Sequence, residues 1–100
     1  MLEFLKNLLG FGPKVDLATL IKAGAKIVDV RTPAEYQQGH VKGSLNLPLQ
    51  TLPNNLSKLK KEDIIITCCA SGMRSGAAKR LLKSYGFQHV HNGGTWKSLE

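Results

Sequence analysis

Thiols are nearly absent from this sequence: its two cysteines, Cys68 and Cys69, stand side by side in 100 residues. Neighbouring cysteines rarely bridge, because the ring their disulfide would close is strained, so no disulfide framework holds the fold. Zinc fares no better, since structural sites pair two closely spaced ligands with a distant second pair, and the sequence has none. His40, His89 and His91 are widely spread and read as structural or surface residues, so no metal is expected. Unbridged thiols suit a reducing compartment, and a cytoplasmic chain is expected. Aromatics make up only 6% of the residues and do not interleave with the basic runs Lys58/Lys60/Lys61 and Lys79/Arg80/Lys83. That excludes a stacking platform for single-stranded nucleic acid, and no nucleic-acid partner is expected. Acidic residues are scarce as well, 7 against 14 Lys and Arg, and the net charge of +7 draws small anions toward the surface. Long apolar runs are missing, so no transmembrane segment is expected.

What is present fits one compact domain. One hundred residues, 42% apolar and 21% charged, suffice for a single core. Residues 1–14 read as an N-terminal amphipathic segment, with Phe4, Leu5, Leu8 and Leu9 on one side. Glu3 and Lys6 interrupt it, and no cleavage site follows, so it fails as a signal peptide. The domain is expected over residues 15–98. Leu99 and Glu100 close the chain abruptly, are compatible with vector-derived residues, and carry no weight.

Within the domain, short strands alternate with helices. Asp16 caps a helix from Leu17 to about Ala23, which stops at Gly24. Ile27–Val30 reads as a strand buried on both faces. Thr32, Pro33 and Glu35 form a capping box with proline at the first helical position. Ser44–Leu47 is a short strand, and Pro53-Asn54-Asn55 a turn before a helix through Leu56 and Leu59. Ile64–Thr67 is the clearest strand. After a glycine-containing turn comes a helix with Ala78, Leu81, Leu82 and Tyr85 at helical spacing, ended by Gly86. Phe87–His91 is a further strand, and Asn92-Gly93-Gly94 a turn. This order predicts an α/β fold, with a mainly parallel central sheet flanked by helices on both faces.

The chemistry lies where the clearest strand runs into the following helix, at Cys69-Ala70-Ser71-Gly72-Met73-Arg74-Ser75. Ligands of open α/β sheets bind at the carboxyl ends of strands. Gly72 lets the chain curl so that successive N–H groups converge, and with the helix dipole they form an anion cradle. A cysteine at its mouth is ionised more easily than a free thiol. Arg74 adds a planar cation at the rim, able to hold an oxyanion or to brace loop carbonyls.

This loop resembles the active-site loop of the rhodanese family, a cysteine and an arginine separated by four residues, with glycine three after the cysteine. Asp29-Val30-Arg31 with Thr32-Pro33-Ala34-Glu35-Tyr36, the stretch Gly39 to Pro48, and Gly93-Gly94 with Trp96 resemble the family's other signatures, in the same order. Two features depart from the pattern: Trp96 follows the glycine pair closely, and Ala70, Ser71 and Met73 are uncharged. The resemblance implies a rhodanese-like fold and a single-domain thiosulfate sulfurtransferase. Cys69 would carry the sulfur as a persulfide, and Ala70, Ser71, Gly72, Met73, Arg74 and Ser75 would bind substrate. Asp29, Arg31 and His40 would be supporting residues. The implied partners are a small anionic sulfur donor and a cyanide or thiol acceptor, or a persulfide-accepting protein, with the chain working as a monomer and without a cofactor. Counted from Cys68, the loop has the length used by cysteine-dependent phosphatases and arsenate reductases, which keeps that class open as the alternative. Glycine three after the nucleophile selects Cys69. Cys68 then points into the sheet as a core residue, since side chains alternate along a strand. Cys69→Ser is therefore expected to abolish sulfur transfer from thiosulfate to cyanide, measured as thiocyanate formed, while Cys68→Ser keeps most of it. The reverse result in folded protein selects the Cys68 register.

Overall fold

Three β-branched residues in a row suit a strand covered on both faces, and Ile64-Ile65-Ile66 open such a strand, β3, at Ile64–Cys69. The computed structural model describes residues 16–100; the amphipathic segment expected over 1–14 lies outside the described residues. Strands β1 (Lys26–Asp29), β2 (Leu45–Asn46) and β4 (His89–Thr95) complete a four-stranded sheet of order β2-β1-β3-β4. Every pairing is parallel, so each connection must cross over the sheet.

The crossovers supply the helices. Helix α1 (Leu17–Lys22) precedes β1, α2 (Pro33–Gln37) follows it, and α3 (Met73–Ser84) joins β3 to β4. Asp16 caps α1 by accepting the Thr19 N–H at 3.3 Å. Thr32 and Glu35 form the expected capping box around Pro33. Side chains on β3 alternate between two cores. Ile65 and Cys69 join Val28, Leu52, Ala78, Leu82 and Phe87 in the larger one, beneath α3. Cys68 joins Ile27 and Val41 in the smaller one, with Ile21, Trp96 and Leu99 packed against it. Helices thus cover both faces of a parallel sheet, the expected α/β architecture. Burying a side chain the size of Ile65 contributes about 1.5–3 kcal/mol. Among the described residues, no helix is long and apolar enough to cross a membrane.

Local differences from the sequence expectations have identifiable causes. The segment around Pro53 is a 3₁₀ helix over Leu49–Lys58, not a turn and a later helix. Pro53 has no N–H to feed an α ladder, and spacings of three and four residues turn Leu49, Leu52, Leu56 and Leu59 toward the larger core. Tyr85 caps the end of α3 and is 45% exposed, so it does not extend the apolar face.

Asn92-Gly93-Gly94 is not a turn. It lies within β4. The pairing with β3 slips there: Thr67 faces Asn92 but Cys69 faces Thr95, so β4 accommodates one extra residue. Gly94 takes a φ of +78°, which fits the bulge. Gly93 is required by close approach, because a Cβ there would lie 2.8 Å from Ile66 Cγ2, 2.9 Å from Leu99 Cδ1 and 2.9 Å from the Thr67 carbonyl oxygen. Side chains could shift, but the carbonyl belongs to the central strand. Gly93→Ala is expected to destabilise the domain by about 1–3 kcal/mol, lowering Tm by roughly 5–15 °C. A thermal melt with no change would mean that the β4 backbone can withdraw from β3 freely.

Candidate active site

Cys69 ends β3, and α3 begins four residues later at Met73. Gly72 makes the reversal in between with a φ of +97°, the left-handed conformation that glycine adopts without strain. The consequence is convergence on one sulfur. Gly72 N–H donates to Cys69 Sγ at 2.9 Å and Ser75 N–H at 3.4 Å, while the Ser75 hydroxyl lies 3.5 Å away. Burial alone pushes the Cys69 thiol up. The Ser75 hydroxyl and the N–H groups of Ser75, Gly72 and Ser71 together outweigh it, leaving the pKa below that of an ordinary thiol. Cys68, one residue earlier, faces the opposite core, where burial and then the Asp29 carboxylate push its thiol up to about 12. The same strand therefore holds one thiol primed to ionise and one held neutral.

The rest of the loop divides by exposure. Ala70 and Ser71 are exposed, and Met73 is 81% exposed, although it is a large apolar side chain. Ser75 is fully buried beneath the loop. Arg74 does not brace loop carbonyls. Its guanidinium makes a two-pronged pair with Glu35, at 2.7 and 3.0 Å, on the half-exposed surface. Glu35 also completes the α2 capping box by accepting from the Thr32 N–H at 3.1 Å. The Arg74 hydrogen bonds, followed by those from Thr32, hold its carboxyl down at about 2.

The remaining sequence candidates make no hydrogen bond to the Cys69 sulfur, whose partners are Gly72 and Ser75. Asp29 and Arg31 form a buried pair at 2.7 Å. Arg31 also donates to the carbonyls of Glu35 (3.3 Å) and Gly39 (2.7 Å), and its guanidinium lies 4.7 Å from the Trp96 ring centroid. Arg31 thereby ties α2 and the segment after it to the end of β1. His40 stacks on Tyr36 with ring centroids 3.8 Å apart and places Nδ1 2.8 Å from the Tyr36 carbonyl oxygen. Its contacts are local. Asn46 donates to the carbonyls of Asp29 and Arg31 and fixes the end of β1 against β2. Trp96 packs against the smaller core and walls a cleft of about 480 Å³, shared with Arg31, Glu35, Gln38, Gly39 and Lys97. Among the described residues, no cluster of three or more His, Cys, Asp or Glu side chains is placed to hold a metal.

Sequence reasoning missed Asn92 and Thr67. Asn92 Oδ1 lies 2.6 Å from the Ser75 hydroxyl, and Thr67 donates its hydroxyl to the Ser75 carbonyl at 2.8 Å. Asn92, read as a turn residue because it precedes Gly93-Gly94, carried no separate signal. Thr67 carried only that of a β-branched strand residue.

Comparison with known proteins places this geometry. The family model described as the rhodanese-like domain matches residues 14–95. The chain is 38% identical over 74 residues to thiosulfate sulfurtransferase PspE of Escherichia coli (strain K12), covering 72% of this chain and 71% of that protein. It is 38% identical over 66 residues to a sulfurtransferase of Allochromatium vinosum, covering 66% of this chain but only 62% of that protein. Among solved structures, a rhodanese with anions from E. coli matches with a TM-score of 0.69 and 36% identity, over 75% of this chain and 91% of that one. The human single-domain sulfurtransferase TSTD1 matches with a TM-score of 0.71 and 27% identity, over 83% and 88%.

The convergent donors predict a titration. Because the Cys69 pKa is lowered, the thiolate is populated as pH rises through a midpoint below the free-thiol value of about 8.5. Iodoacetamide labelling of the native chain is expected to follow that midpoint, with Cys69→Ser taking up almost no label at neutral pH because Cys68 stays neutral. A midpoint at or above the free value would mean that burial outweighs the donors.

Proposed function

The chain belongs to the rhodanese-like domain family, and from that premise we propose that it is a sulfurtransferase that carries sulfur as a persulfide on Cys69. The observation that supports this most directly is the convergence of Gly72 N–H and Ser75 N–H on Cys69 Sγ, with the Ser75 hydroxyl beside it. Such a sulfur is ionised without a separate general base, and nucleophilic catalysis then splits one transfer into two easier steps. In the first, Cys69 thiolate attacks the outer sulfur of thiosulfate. The new Sγ–S bond forms as the S–S bond of thiosulfate breaks, and its electron pair leaves with sulfite. In the second, cyanide or a thiolate attacks the outer sulfur, and the pair of the Sγ–S bond returns to Cys69. The persulfide keeps one negative charge between the steps, and the loop N–H groups are suited to hold it.

Arg74 fits the rim of this site in a modified form. Two of its five N–H groups are engaged by Glu35. The others remain to meet a departing sulfite, with Glu35 fixing the plane of the guanidinium. Ala70, Ser71 and Met73, exposed and uncharged, leave the backbone as the main source of positive potential within the loop. A protein thiol as acceptor uses the same persulfide and the same second step. The reaction needs only one chain, so the proposed working unit is a monomer, and thiolate chemistry of this kind suits the reducing cytoplasm. The phosphatase or arsenate reductase alternative requires Cys68 as nucleophile, yet Cys68 is fully buried in the opposite core and pushed up to about 12.

Intact mass measurement after incubation with thiosulfate is expected to find one added sulfur per chain, removed by cyanide and absent from Cys69→Ser. A folded wild-type chain that alkylates at Cys69 but never gains sulfur from thiosulfate or a persulfide donor would overturn the proposal.

A further inference from the structure

The Ser75 hydroxyl has one proton and three acceptors within reach. Asn92 Oδ1 lies at 2.6 Å, the Gly72 carbonyl oxygen at 3.0 Å and Cys69 Sγ at 3.5 Å. The Asn92 carboxamide is held in one orientation. Gly94 N–H, which can only donate, points at Oδ1 from 2.9 Å, and Nδ2 donates to the Gly72 carbonyl at 3.3 Å. The oxygen therefore faces Ser75. At 2.6 Å the Ser75 proton goes to Asn92, leaving a hydroxyl lone pair toward the sulfur, where it suits a neutral Sγ–H donor. It does not suit an anionic sulfur, which needs that proton itself.

We infer that Asn92 is a positioning residue that parks the Ser75 hydroxyl proton while Cys69 is a neutral thiol and yields it when the sulfur becomes anionic. The switch is a rotation of one hydroxyl. Asn92 Oδ1 keeps the Gly94 N–H after giving up Ser75, so the acceptor is not stranded. Asn92 thus competes with the sulfur for one donor and sets how readily Cys69 ionises, without touching it. The inference rests on Cys69 being the working nucleophile, and it adds the element that tunes it. The titratable groups around this sulfur are Cys68 on the same strand, Arg74 on α3 with its partner Glu35 from α2, and the Asp29–Arg31 pair at the end of β1, where Asp29 faces Cys68. Asn92 is neutral, so Asn92→Ala changes none of these charges.

The test is the pH profile of Cys69 alkylation. Removing the competing acceptor with Asn92→Ala is expected to lower the midpoint by about 0.5–1 pH unit, roughly three- to tenfold more thiolate at a fixed pH below it. In a Ser75→Ala background the same replacement is expected to move nothing. Asn92→Asp, a stronger acceptor, is expected to raise the midpoint, and by more with Ser75 present than without it. A folded Asn92→Ala chain with an unmoved or higher midpoint overturns the inference, as does an equal fall in the Ser75→Ala background. If Ser75→Ala does not fold, the sign of the Asn92→Ala shift decides alone; if Asn92→Ala does not fold, Asn92→Asp decides, and no rise overturns it. Sulfur loading, read by intact mass on the same samples, is independent. Loading with an unmoved midpoint sinks only the role of Asn92, whereas no loading with the shift intact sinks only the sulfurtransferase reading.

Discussion

A β-strand sends successive side chains to opposite faces, and at the end of β3 this alternation separates two chemically identical residues. Cys68 goes to the smaller core, where burial and the field of Asp29 outweigh that of Arg31. Cys69 goes to the larger core at the point where the chain reverses, and meets N–H groups. A one-residue slip of β3 would exchange these environments and turn every core side chain of the strand to the wrong face. The parallel pairings on both sides of β3 hold the register, and the close seat of Gly93 over Ile66 and the Thr67 carbonyl holds it a second time. The contrast between the two thiols is thus a property of strand register as much as of the loop.

Two ion pairs flank the loop at different depths and do different work. Asp29–Arg31 is buried, with the carboxylate accepting from the Arg31 Nε and NH2 groups and from its backbone N–H. Removing one partner from such a pair typically costs about 3–5 kcal/mol, because the other is left charged and dry. Arg74–Glu35 is half-exposed, and pairs of that kind contribute little to stability in water. Its value is positional: it joins the first turn of α2 to the first turn of α3, next to the loop. The buried pair therefore belongs to the fold. The surface pair leaves Arg74 able to meet an anion without endangering the fold.

Legibility in the sequence followed the locality of the signal. The capping box at Thr32-Pro33-Ala34-Glu35 and the cap at Asp16 are written in adjacent residues, and both form as read. The two-sided burial of Ile64-Ile65-Ile66 and the opposite facing of Cys68 and Cys69 follow from period-two alternation. What the sequence hid was partnership across distance. Glu35 reads as a complete capping residue, and nothing local says that it also holds Arg74, 39 positions away. Asn92 sits 17 positions from Ser75 and is masked by a glycine pair that signals a turn. Gly93 is glycine for a reason outside its own neighbourhood, the Thr67 carbonyl of β3 pressing against it, and Gly94 for the positive φ of the bulge. The 3₁₀ path through Pro53 is likewise decided by the core it must cover.

The environment of Cys69 looks contradictory, since the residue is fully covered while its thiol pKa is lowered. The two facts have one origin. The turn that covers the sulfur is the turn whose N–H groups point at it, so exclusion of water and supply of donors come from the same backbone. Away from water each N–H···S contact is electrostatically stronger, which lets a few donors offset the desolvation of an anion. Exposure of the sulfur would ease access but weaken the donors. Exposed Ala70, Ser71 and Met73 put the small or unbranched side chains of the loop on the solvent side. Ser75 and Thr67 lie beneath it, fully buried and hydrogen-bonded to each other. Gly72 donates from the covering turn and Ser75 from the buried floor.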